Sequence, residues 1–171
     1  ERLSGEQGVM RTDRGDSIDT DGPNAPDGIV GPHREKEGSW YTIRDVWSPI
    51  QIAPMTVRPQ WDGRFKVANR FLFSRLTECS MSYSVTTLPS PASDRGRTVA
   101  EGTVALPDIA PGETGTAAIT LPEGFAEGDV LTLVATTAAG DTINTWAYPM
   151  RYADEYYALA KPAAVAGRHN P

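Results

Sequence analysis

The chain predicts an all-β protein: an immunoglobulin-like antiparallel β-sandwich, preceded by an irregular segment and followed by a linker or short helix. Three observations predict this. Short runs of alternating apolar and polar residues recur between 40 and 150. Turn signals built on Gly, Asp and Pro separate them. Helical periodicity is almost absent until the last twenty residues. Many short strands at regular spacing bury their apolar faces best as a sandwich or barrel. The Cys…Trp…Cys pattern of antibody domains is missing, so "immunoglobulin-like" refers to architecture alone.

Residues 1–39 are rich in Gly, Asp and Arg and carry scarcely any hydrophobic periodicity. Such a segment cannot bury enough apolar surface to offset its own ordering entropy, so it is either disordered or leans on a partner. In DGIVGPHREKEGSWYTIRDVW (27–47), turns and charges lead to an expected aromatic strand through Trp40, Tyr41, Ile43, Val46 and Trp47. Residues 40–150 form the predicted sandwich. RFKVANRFLF (64–73) places Phe65, Val67, Phe71 and Phe73 on one face with Asn69 between them, and MSYSVTTL (81–88) alternates through Met81, Tyr83, Val85 and Thr87. TVAL (103–106), AAITL (117–121), DVLTLVATT (129–137) and NTWAY (144–148) supply further strands. The turns between them are read at Trp61-Asp62-Gly63, 89–96, 108–112, Glu123-Gly124 and Gly140-Asp141. Residues 151–171 change character. Tyr152, Tyr156 and Leu159 fit a short helix, and the Ala/Gly-rich stretch from Pro162 reads as a linker.

With 171 residues the chain accommodates one domain plus appendages and a core that needs no disulfide or metal. The net charge of −6 argues against a nucleic-acid partner, because phosphate binding requires clustered Lys and Arg. Cys79, the only cysteine, rules out an internal disulfide. No apolar run approaches a membrane span, and the first residues lack the apolar centre of a signal peptide. The chain opens on Glu1 rather than Met, which reads as processing or excision from something longer.

Histidine is confined to His33 and His169, so the sandwich offers no base for a Ser-His-Asp or Cys-His nucleophile and no ordinary Cys/His zinc site. Its carboxylates sit almost all in turns or beside Gly and Pro, as solvated turn formers do. DSIDTDGPNAPDG (16–28) gathers hard oxygen ligands around Gly22, with Asp19 and Asp21 as candidate calcium ligands. No Glu closes an EF-hand loop there, and a series of Asx turns is the favoured reading. Arg14-Gly15-Asp16 is a bare tripeptide with no hairpin to display it. Trp61 and Trp146 are candidates for sugar stacking. Tryptophan on short strands more often packs in a core or between domains.

GDSIDTDGPNAPDGIVGPHREKEGSWYTIRDVWSPIQI (15–52) resembles the exit from the catalytic barrel of family 2 glycoside hydrolases of the β-galactosidase type. Gly15-Asp16, Asp27-Gly28-Ile29-Val30, the charged turn 33–36 and the stretch from Tyr41 to Pro49 carry the resemblance. KVANRFLFSRL (66–76), GTVALPDIAPGET (102–114) and WAYPM (146–150) continue it. The resemblance implies that 1–39 is barrel-derived, that 40–150 is the sandwich following the barrel, and that 151–171 runs toward a further β domain. It implies a non-catalytic accessory domain that supports the barrel and spaces its neighbours. Trp40, Tyr41 and Trp47 would then pack at the domain interface. The catalytic glutamates would lie earlier in the barrel, so this chain alone would not hydrolyse glycosides. Asp27 matches a position close to the sugar site that can help hold a monovalent cation; Asn24 stands where the family has an aromatic. The implied partners are the catalytic barrel and the following β domain, with carbohydrate as a ligand, and the implied location is periplasmic or extracellular in a bacterium. The alternative is a carbohydrate-binding module with an aromatic stacking surface.

Overall fold

The computed structural model describes residues 29–30, 34–90 and 94–160. Two compact units divide the chain, 1–47 and 48–171.

Within the first unit, α1 runs over Gly38–Val46. The aromatic strand expected over 40–47 is therefore a helix. Trp40, Ile43 and Trp47 are spaced i, i+3, i+7, a helical repeat that the aromatic and β-branched composition disguised. The Trp40 and Tyr41 rings meet edge to face at 5.3 Å, and the Arg44 guanidinium lies 5.1 Å from the Trp40 centroid. Arg44 also sits in the last turn, where a cation complements the helix dipole. The helix stops at Trp47 because Pro49 disfavours helical geometry at Ser48.

The second unit is the sandwich, with seven strands among the described residues: β1 Ile50–Ile52, β2 Arg64–Asn69, β3 Ser80–Thr86, β4 Thr98–Val104, β5 Thr114–Ala118, β6 Val130–Thr136 and β7 Thr142–Pro149. One sheet has the order β1-β2-β5 and the other β4-β3-β6-β7, and every pairing is antiparallel. The immunoglobulin-like sandwich read from the sequence is present. Its three-plus-four partition differs from the four-plus-three arrangement of antibody constant domains, because β4 pairs with β3.

Alternation explains the burial. Phe65 and Val67 point inward from β2, Met81 and Val85 from β3, and Leu131, Leu133 and Ala135 from β6. Leu131 and Leu133 stand opposite Val85 and Tyr83 across the β3–β6 pair, so one face of the larger sheet is continuous. The expected inward row of RFKVANRFLF ends early. The strand stops at Asn69, Phe71 is only half-buried, and Phe73 is 90% exposed.

Strand directions set the polarity of the unit. The chain enters beside the end of β2, since Ile50 pairs with Asn69. The start of β3 lies at this same end, because the Ile109 carbonyl accepts both the Asn69 side chain and the Leu76 N–H just before β3 begins. The far end of β3 pairs Thr86 with Val130, and Val130 in turn pairs with Pro149, where β7 finishes. Entry and exit therefore lie at opposite ends of the sandwich. After the exit, α2 spans Ala153–Ala160 within the region where a short helix was expected.

Candidate functional site

At the entry end, Asn69 is completely buried at the last position of β2. A polar side chain there must find partners or forfeit its hydration. Its Nδ2 donates to the carbonyls of Ser74 and Ile109, each at 2.9 Å, and its Oδ1 accepts the Phe71 N–H at 2.9 Å. The backbone closes the same knot: Asn69 N–H donates to Glu113 O, Gly112 N–H to Asn69 O, and Arg70 N–H to Pro49 O. The chain is thereby turned out of the strand after Asn69. Leu72 (80% exposed) and Phe73 are held in solvent by a fixed loop. Sequence reasoning noticed Asn69 but missed Leu72. An Asn interrupting an apolar alternation was the available signal that the strand ends there.

At the exit end, β7 hands over to α2 through a lattice of charges. Arg151 Nε donates to Asp129 Oδ1 at 2.9 Å, while Asp129 Oδ2 accepts the Leu88 N–H. The Tyr156 hydroxyl donates to the Asp129 carbonyl. Arg58 donates to both Glu155 oxygens, at 3.1 and 3.0 Å, and its guanidinium lies 3.8 Å from the Tyr152 ring centroid. The Tyr152 backbone N–H, which the Glu155 carboxylate accepts, followed by Arg58, holds that carboxyl below its ordinary range. A cleft of about 160 Å³ opens beside this lattice, lined in part by Met55, Val57, Tyr148 and Tyr152.

The sugar-stacking candidates are partly buried. Trp61 packs against Phe65 and Phe125, with centroids 6.2 Å away in each case, and its Nε1 donates to Arg64 O. Trp146 stands opposite buried Leu133 on β7 and packs against the core. Trp40 and Tyr41 lie on α1, and Trp47, at its C-terminal cap, is 75% exposed. Asp19, Asp21 and Asp27 lie outside the described residues, as do the Arg14-Gly15-Asp16 tripeptide, His33 and His169.

Among the described residues no group of three His, Cys, Asp or Glu side chains could hold a metal ion, and no helix is long and apolar enough to cross a membrane. Burial, and then Glu78, push the Cys79 thiol above its ordinary value, the reverse of what a nucleophilic thiolate requires. The Arg58–Glu155 ion pair and the Tyr156–Asp129 hydrogen bond tie α2 to the sandwich.

Residues 65–147, from β2 into β7, match the protein family described as "Beta-galactosidase, domain 4". Over those residues the immunoglobulin-like sandwich is similar to domain 4 of β-galactosidases. No curated protein matches the chain. Among solved structures, the exo-chitosanase CsxA of Amycolatopsis orientalis is 15% identical, with 71% of this chain and 13% of that one covered at a TM-score of 0.37. A variant of the same enzyme in complex with PNP-beta-D-glucosamine gives the same figures. The chain thus spans only a small part of that enzyme's length. The ApaA protein of Bordetella pertussis is 17% identical, with 59% of this chain and 88% of that one covered at a TM-score of 0.25. The domain 4 match alone carries the assignment.

Proposed function

We propose that the β-galactosidase-type domain 4 described here buttresses the catalytic barrel of its parent glycoside hydrolase and holds the domains on either side at a fixed spacing. The observation that carries the reading is the opposed placement of entry and exit in a domain of this family. An eight-residue strand such as β7 spans about 25 Å, so the sandwich separates its N-terminal neighbour from its C-terminal neighbour by about that distance. The exit helix is tied down by side chains 97 residues apart in sequence, Arg58 and Glu155, which suits a spacer that must not flex. Trp40, Tyr41 and Trp47 on the preceding segment remain proposed interface residues, and the barrel supplies the catalytic carboxylates. Asp27 remains a proposed cation- or substrate-proximal position, and a periplasmic or extracellular setting is proposed with it.

The test is hydrolysis of chromogenic galactosides and glucuronides by the 171-residue chain. No turnover above blank is expected, and clear turnover would refute a non-catalytic role. A second reading, carbohydrate binding, has one observation in its favour: the cleft beside Tyr148 and Tyr152 at the exit end. Oligosaccharide titration followed by tryptophan and tyrosine fluorescence checks it, and a saturable change would promote it.

A further inference from the structure

We propose that Leu72 and Phe73 are the plug by which the sandwich docks onto the domain preceding it in the parent enzyme, seated in an apolar pocket with an acidic rim. The inference rests on the accessory-domain reading and gives it a contact.

Large apolar side chains exposed singly are ordinary; two adjacent ones at 80% and 90% exposure on a fixed loop are not. The loop is braced at both sides of the pair. Asn69 grips Phe71 N–H before it and Ser74 O after it, and Leu76 N–H donates to Ile109 O just beyond. Phe71 itself packs against the core, so the chain is anchored one residue before the pair. A loop ordered this way holds its apolar tip in solvent without letting it fold back, and little ordering entropy is left to lose on contact.

The occupant is set by size and place. A Phe side chain buries about 150–250 Å² and a Leu less, far short of the ~1,200 Å² or more of a stable interface between separate proteins. A contact this small is populated only when a covalent link supplies a high effective concentration. The link is at hand, because Arg70 N–H is bonded to Pro49 O at 2.7 Å, within the segment through which the chain enters the sandwich. The preceding domain is therefore tethered at the loop's own end of the sandwich. Exposed Arg70 flanks the pair and has no ion-pair partner among the described residues, while Arg75 on the other flank is held by Asp108. An acidic group beside the receiving pocket would pair with Arg70.

The experiment compares thermal unfolding of the 171-residue chain and of the parent enzyme, each with and without the double substitution Leu72→Ser, Phe73→Ser. The expected result is an unchanged midpoint for the chain and a fall of several degrees for the barrel transition of the parent. An unchanged parent midpoint overturns the proposal. So does an equal fall in both, which would make the pair part of the sandwich's own stability. Sedimentation of the chain adds a third check: a dimer that the double substitution converts to monomer would assign the patch to a second copy and overturn it too. Deleting the sandwich from the parent separates the two readings. If deletion destabilises the barrel and the double substitution does not, the docking site is wrong and the accessory role stands. If neither does, the accessory role itself fails.

Discussion

Replacing Asn69 by alanine removes three hydrogen bonds at a fully buried position. The Ser74 carbonyl and the Phe71 N–H lose their Asn69 partner, whereas the Ile109 carbonyl keeps the Leu76 N–H at 3.1 Å. At about 0.5–1.5 kcal/mol for each neutral bond, the expected loss of stability is roughly 2–4 kcal/mol. Urea unfolding of the chain measures it. Amide exchange locates it: Phe71 should exchange faster than the global loss explains. Gly112, whose N–H donates to the Asn69 backbone carbonyl, should follow the global loss only. A loss below about 1 kcal/mol would refute the assignment of Asn69 as the organiser of this loop. So would Phe71 and Gly112 amides that respond alike.

Gly63 has φ +82°, and a Cβ there would lie 2.3 Å from the Ile119 carbonyl oxygen, so Gly63→Ala should cost at least ~3 kcal/mol in urea unfolding. Gly112 has φ +79° with nothing within 4 Å of a built Cβ, and Gly112→Ala should cost only about 1–2 kcal/mol. Equal costs would show that crowding at Gly63 is relieved by backbone movement. Leu133→Ala empties a fully buried position between the sheets and should cost about 2–5 kcal/mol. Glu155 is held below its ordinary value by the Tyr152 N–H and Arg58, and Asp108 by its hydrogen bond from Arg75. A folded-state value below the unfolded one stabilises above the unfolded range and is lost as pH falls through the folded value. The melting midpoint should therefore drop below pH ~4, and less steeply in Glu155→Gln and Asp108→Asn; parallel acid profiles would contradict this.

The sandwich was legible because its inner faces obey a period of two. Phe65, Val67, Met81 and Val85 are core residues by alternation alone. The turns were legible because Gly63, Gly124 and Gly140, each in a predicted turn, have positive φ. α1 was not, because nine residues that include two adjacent aromatics, a Thr, an Ile and a Val carry strand-like composition on helical spacing. The outward turn at Phe73 was hidden for another reason. Its only local mark is Asn69 itself, and one of the three bonds that set it runs to the Ile109 carbonyl 40 residues away, a contact that local alternation does not record. Which sheet β4 joins, and the Arg58–Glu155 lattice, are likewise long-range facts.

The most direct test of the accessory role is thermal unfolding of the parent enzyme's barrel with residues 48–160 present and deleted. Buttressing predicts that deletion lowers the barrel's midpoint while the catalytic glutamates remain in place. A barrel that melts at the same temperature and hydrolyses its glycoside at the same rate without the sandwich would contradict it.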